Sequence, residues 1–140
     1  MKRIIYLSLL LTFLINSTSF EAQNKKTQKA ITAVGNKVEV YYFHYTRRCI
    51  TCNAVESETQ KAIAELYPAQ FKNGQIVFKS VNLDEKKSET IAKKCQAEGQ
   101  SLLFISKGKR IDLTDKAFMY AKNSPNKLKA DVKKTIDAML

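Results

Sequence analysis

The sequence predicts one α/β domain: a central four-stranded mixed sheet flanked by helices, in the order βαβαββα. Three observations predict it. The run KVEVYYF (37–43) is β-branched and aromatic on both faces, as in a strand buried on both sides. From Cys52 the period changes, and Cys52, Val55, Ala62, Ile63 and Leu66 fall at helical spacing. Near the end, Gly108 sits in a short loop between two strand-like runs, which marks an antiparallel hairpin.

The other elements follow in order. Glu56, Glu58, Gln60, Lys61 and Glu65 fall on the remaining faces of the first helix. Pro68 should end that helix, because the residue before a proline is pushed out of the helical region. KNG (72–74) is turn chemistry, and QIVFKSVNL (75–83) reads as the second strand. SETIAKKCQ (88–96) reads as a short helix capped by Ser88 and broken at Gly99. SLLFI (101–105), SKGK (106–109) and RIDL (110–113) read as strand, turn, strand. TDKAFMYAK (114–122) fits a short helix or a loop. Ser124 and Pro125 are a cap and a first-turn proline. Leu128, Val132, Ile136 and Met139 then form the apolar stripe of a last helix. The first two strands, joined through a helix, should be parallel.

The start of the chain reads differently. Lys2 and Arg3 precede an apolar or small run, Ile4 to Ile15, and then NSTSF, the order of a secretory signal. At 12 residues the run is short of the roughly 20 that span a membrane. We expect a signal peptide over 1–19, cut after Ser19, with Ala22 the second choice. An uncleaved anchor is the alternative. No cysteine near the run's end suggests a lipid anchor. Residues 20–36 read as a flexible tether, with a short helix or edge strand around Ile31–Val34, and 37–140 as the domain. The localisation this implies is export to the periplasm or another extracytoplasmic space. The 140-residue chain has a formal charge of +11. Without 1–19 it loses two of its 24 basic side chains and none of its 13 acids, and keeps +9. Its lysines are spread along the chain rather than clustered, which argues against nucleic acid and for a solvated basic surface. Membrane contact is expected only through a retained signal.

The chemistry lies in Cys49 and Cys52, three apart where the first strand gives way to the first helix. Such sites at the carboxyl ends of strands are where α/β sheets place their chemistry. Thiol–disulfide exchange needs a thiolate and a second thiol to resolve the mixed disulfide. A Cys-x-x-Cys pair opening a helix meets both needs, since unpaired N–H groups and the helix dipole stabilise the anion. Such motifs lower a cysteine pKa from about 8.5 to between about 3.5 and 7.5. Cys49 is therefore the expected nucleophile and Cys52 the resolving thiol. Arg47 and Arg48 would favour the thiolate, and Thr51 would hydrogen-bond within the motif. A static disulfide here would close almost no loop and stabilise little. The rival reading is a metal clip for zinc or Cu(I), in which Cys49 and Cys52 are joined by Cys95 or His44. Against it, nothing in the spacing brings the four together, and His44 reads as a packing residue. Asn53 after Cys52 excludes c-type haem attachment. Cys95 makes the count odd and reads as a small buried residue.

VEVYYFHYTRRCITC and GQSLLFISKG (99–108) together resemble the thioredoxin superfamily over residues 37–140. The resemblance implies a thioredoxin-like fold, with Cys49 matching the nucleophilic cysteine and Cys52 the resolving one. Ser101 matches the threonine of the family's proline-threonine segment and Gly108 its hairpin glycine. Gly99, Gln100 and Ser101 would then form a substrate-facing loop. Three positions depart from the family. Arg48 replaces the aromatic residue before the first cysteine. Phe43 replaces the buried acid six residues before it. Gln100 replaces the cis-proline, in a loop one residue shorter; a non-proline cis bond costs about 2.5–4 kcal/mol, so the Gly99–Gln100 bond should be trans.

The strings YYFHYTRRCITCNAVESET, GQSLL and AFMYAKNSP are similar to a narrower group, the nitrophenyl compound nitroreductase subunit ArsF family of small exported bacterial proteins. That resemblance implies a reductase partner. No Gly-rich βα turn or other flavin or nicotinamide fingerprint is present. We therefore expect no cofactor and no resident metal. The expected function is an exported thiol–disulfide oxidoreductase or electron carrier acting on a protein thiol or disulfide partner. The alternatives are the metal module and a non-catalytic accessory subunit of a reductase.

Overall fold

The computed structural model describes residues 36–140. The expected signal peptide, and the expected tether up to its last residue, lie outside the described residues, as does the element around Ile31–Val34. Asn36 belongs to the domain, where its side-chain amide donates to the Met139 carbonyl at 3.0 Å.

The sheet has four strands: β1 (Val38–His44), β2 (Ile76–Asn82), β3 (Ser101–Ser106) and β4 (Lys109–Asp112), in the order β2-β1-β3-β4. β1 is parallel to β2 and antiparallel to β3, and β3–β4 is an antiparallel hairpin. With helices on both faces this is the four-stranded mixed α/β architecture that the sequence predicts. β1 is central, which explains why its sequence is apolar on both faces. Val38, Val40 and Tyr42 turn one way, onto Val55 and Ile63 of α1 (Ile50–Leu66) and onto Leu128, Val132 and Ile136 of α5 (Pro125–Asp137). Tyr41 and Phe43 turn the other way, onto Ala92 and Cys95 of α3 (Glu89–Cys95). The stripe Leu128, Val132, Ile136 and Met139 is buried throughout. Burying one such side chain is worth about 1.5–3 kcal/mol.

The hairpin turn is Lys107–Gly108, with φ of 45° and 79°. Positive φ at both central residues matches the right-handed twist of the strands, and glycine takes such a φ without steric cost.

Four local readings need correction. α1 ends at Leu66 as expected, but Pro68 also opens a second helix, α2 (Pro68–Lys72). Its missing N–H falls where a helix start has no use for one. Tyr67 bridges the two, and its hydroxyl donates to Asp137 at 2.6 Å, tying the end of α1 to α5. Ser88 does not cap α3. Residues Lys86–Ser88 already wind as a 3-10 turn, so Ser88 has helical backbone and its side chain caps nothing. α3 stops at Gln96, not Gly99. Gln96 is left-handed (φ 54°), and the Ala97 N–H closes on the Ala92 carbonyl at 2.9 Å. Arg110 of β4 donates from Nε to the Cys95 carbonyl at 3.0 Å and from Nη2 to that of Gln96 at 3.3 Å. The segment left open between helix and loop is α4 (Thr114–Tyr120). Ser124 likewise makes no side-chain cap; its carbonyl accepts from Lys127 at 2.8 Å instead.

Candidate functional site

Cys49 is the N-cap of α1, with extended backbone (φ −82°, ψ 166°). The four residues between β1 and Cys49 carry the chain over the sheet end and deliver it exposed at the helix start. Cys52, one turn in, is 4% exposed. The two form a disulfide with a Cα–Cα distance of 5.0 Å. The Cys52 N–H donates to Cys49 Sγ at 3.1 Å, so one of the unpaired backbone donors of the helix's first turn already points at the outer sulfur. An exposed sulfur on a helix start, backed by a buried one, can receive and release a disulfide with little rearrangement.

Gln100 lies against this pair. Its side-chain Nε2 is 3.8 Å and its Oε1 4.0 Å from Cys52 Sγ. The Gly99–Gln100 bond is trans, and no described peptide bond is cis. Gly99 sits beside Tyr45, whose Oη would lie 3.8 Å from a Cβ built there. Ser101 opens β3 opposite Phe43, and its hydroxyl donates back to the Gly99 carbonyl at 3.1 Å, bracing the loop rather than reaching the sulfurs. An open polar groove of about 490 Å³ runs along Glu98, Gly99, Gln100 and Ser101 to Arg110 and Asp112.

The two arginines part company. Arg47 is exposed. Arg48 pairs with Glu56 of α1, and its guanidinium carbon stands 5.5 Å from the Tyr42 ring centroid. Its charge is thus matched by a carboxylate beside the motif. Burial pushes the Glu56 carboxyl up, but the Ser80 hydroxyl and the Arg48 guanidinium outweigh it and hold it below the ordinary carboxylate value. Thr51 is half-buried and makes no side-chain hydrogen bond among the described residues.

The metal set of His44, Cys49, Cys52 and Cys95 does not assemble. Cys95 packs against Tyr41, Phe43 and Leu103 on the sheet face opposite α1, where burial raises its thiol pKa. His44 stacks on Tyr42 at 5.7 Å, with Nδ1 2.9 Å from the Tyr45 carbonyl. Among the described residues no three His, Cys, Asp or Glu side chains converge to hold a metal.

Two residues at the site were not anticipated. Counting six back from Cys49 gives Phe43, but Phe43 faces α3. The residue behind Cys52 is Tyr42, whose hydroxyl donates to the Cys52 carbonyl at 2.9 Å. Burial raises the Tyr42 pKa, with Arg48 opposing. With both faces of β1 apolar, the alternation gave no phase. Glu56 was read as an outer-face residue. Its position four after Cys52, hence on the same side of the helix, was the available signal.

Gln100→Pro tests the loop. The domain should still fold, because the bond before residue 100 is trans and the amide beside Cys52 Sγ is its notable contact. We expect disulfide turnover and metal uptake to shift in opposite directions, checked by an exchange assay and metal analysis on the same preparation. Unchanged values for both would show that Gln100 plays no part.

No family model matches the sequence, and no curated protein matches it. Among solved structures, the chain is similar to a malarial protein, 24% identical, over 71% of this chain and 97% of that one, with a TM-score of 0.45. It is also similar to thioredoxin-2 of the malaria parasite, described as a component of the parasite's protein secretion machinery. That match is 23% identical over 71% of this chain and 84% of the other, with a TM-score of 0.45.

Proposed function

We propose that this protein is an exported thiol–disulfide oxidoreductase or electron carrier. One observation carries the reading: an exposed Cys49 caps α1, is met by the Cys52 N–H, and has the buried Cys52 as its disulfide partner. Cys49 exchanges with a partner protein's thiol or disulfide, and Cys52 closes the intramolecular bond. The groove beside Gln100 offers room for the partner's chain. Export rests on the Lys2-Arg3 start and the short apolar run that follows. The narrower resemblance to the nitroreductase subunit family supports a reductase as the partner served, with electrons passing through the dithiol and no cofactor bound.

Equilibration of the natively purified protein against glutathione buffers, read by mass spectrometry, tests the proposal. The expected result is a start between Ser17 and Ala22 and a single two-electron couple confined to Cys49 and Cys52. A potential near about −270 mV would make it a reductant and one near about −120 mV an oxidant. A pair that does not equilibrate with the buffer, or an intact Met1 on membrane-bound material, would overturn the corresponding half.

A further inference from the structure

Arg48 directly precedes Cys49, yet its guanidinium is committed elsewhere. Nη2 pairs with Glu56, the flat group lies over Tyr42, and Nε is buried with no hydrogen-bond partner among the described residues. The two side chains are only 21% and 24% exposed, so solvent screens the pair less than it would on an open surface. A buried N–H left unmet is costly. Here the cation tolerates one, which indicates that the carboxylate and the ring fix its position. The groups packed around the pair are Tyr42 and His44 from β1 and Ser80 from β2. Glu56 is the acid among them.

Resting on the reading of Cys49 as nucleophile, we infer that Glu56 is a positioning residue that sets the reactivity of Cys49. It cancels the Arg48 charge and holds the guanidinium against α1 and β1. The outer thiolate is then left to the backbone donors of the helix start. Arg48 is a reserve of positive charge that Glu56 withholds. Removing the carboxylate should release it toward the sulfur, which opposite charge within about 4–6 Å stabilises.

The test uses the mature chain carrying Cys52→Ser, with iodoacetamide alkylation of Cys49 followed against pH. Glu56→Gln should lower the midpoint and raise the rate at pH 6 about three- to tenfold. Arg48→Gln should raise the midpoint. The double variant Arg48→Gln/Glu56→Gln removes a neutral pair and should return to within about twofold of the parent. An unchanged or raised midpoint in Glu56→Gln overturns the inference. So does a double variant that behaves like Arg48→Gln alone, which would mean that Arg48 acts on the thiolate directly and Glu56 is a bystander. A purely structural role for the pair would change stability and leave the midpoints where they were. Cys49→Ser with Cys52 intact reports separately on the underlying reading. If rapid alkylation survives it, the nucleophile is misassigned and both readings fall.

Discussion

Replacing Cys49 with serine is expected to abolish disulfide exchange, with a fall of at least about a thousandfold, whereas Cys52→Ser should arrest the reaction part-way. The difference follows from the geometry. Cys49 is exposed and Cys52 buried, so in the proposed exchange the Cys49 thiolate would attack one sulfur of a partner disulfide, form the mixed disulfide and expel the other sulfur as a thiolate that takes up a proton. Cys52 would then attack Cys49 Sγ, close the internal disulfide and release the second partner thiol. In that direction two electrons would leave the dithiol and two reach the partner. Without Cys52 the mixed disulfide has no internal exit and should accumulate as an adduct visible by mass spectrometry. Full turnover by Cys49→Ser, or an adduct on Cys95 instead, would sink this order of events.

Phe104→Ala should be the most damaging single core truncation, at about 3–5 kcal/mol. Phe104 is fully buried in β3, between Val40 of the central strand and Ile111 of β4. It belongs to the core shared with α1 and α5, so a cavity there loosens several elements at once. Domains of this size have roughly 5–15 kcal/mol in total. Urea unfolding should show the midpoint fall with the slope kept. A loss under about 1 kcal/mol would mean that the surrounding side chains collapse into the space. Because β3 begins at Ser101, beside Gln100, exchange activity should also decline at temperatures where the variant is still mostly folded.

What the sequence made legible was local and periodic. The helical spacing after Cys52, the α5 stripe and the Gly108 turn each depend on residues within a few positions of one another. They placed the strands, the sulfur pair and the hairpin correctly. The misses arise where distant residues decide. α3 ends at Gln96 because Arg110, fourteen positions on, meets its last carbonyls. Which face Phe43 takes is set by α3 packing against β1, and an apolar run buried on both sides carries no mark of that choice. The Arg48–Glu56 pair forms only once the loop before Cys49 folds back along α1. From the sequence, Arg48 looked like a free charge next to a thiol.

Cys95 has a further consequence, for anyone who counts sulfurs. It is the last residue of α3, turned onto the sheet face away from α1, and is 2% exposed. A reagent therefore cannot modify it until α3 lifts, and its labelling rate measures local opening rather than redox state. The chain carries its own gauge of breathing on one side of the sheet and the Cys49–Cys52 pair on the other. A titration that finds Cys95 unlabelled in the folded reduced protein and all three thiols labelled in denaturant would read this from one sample.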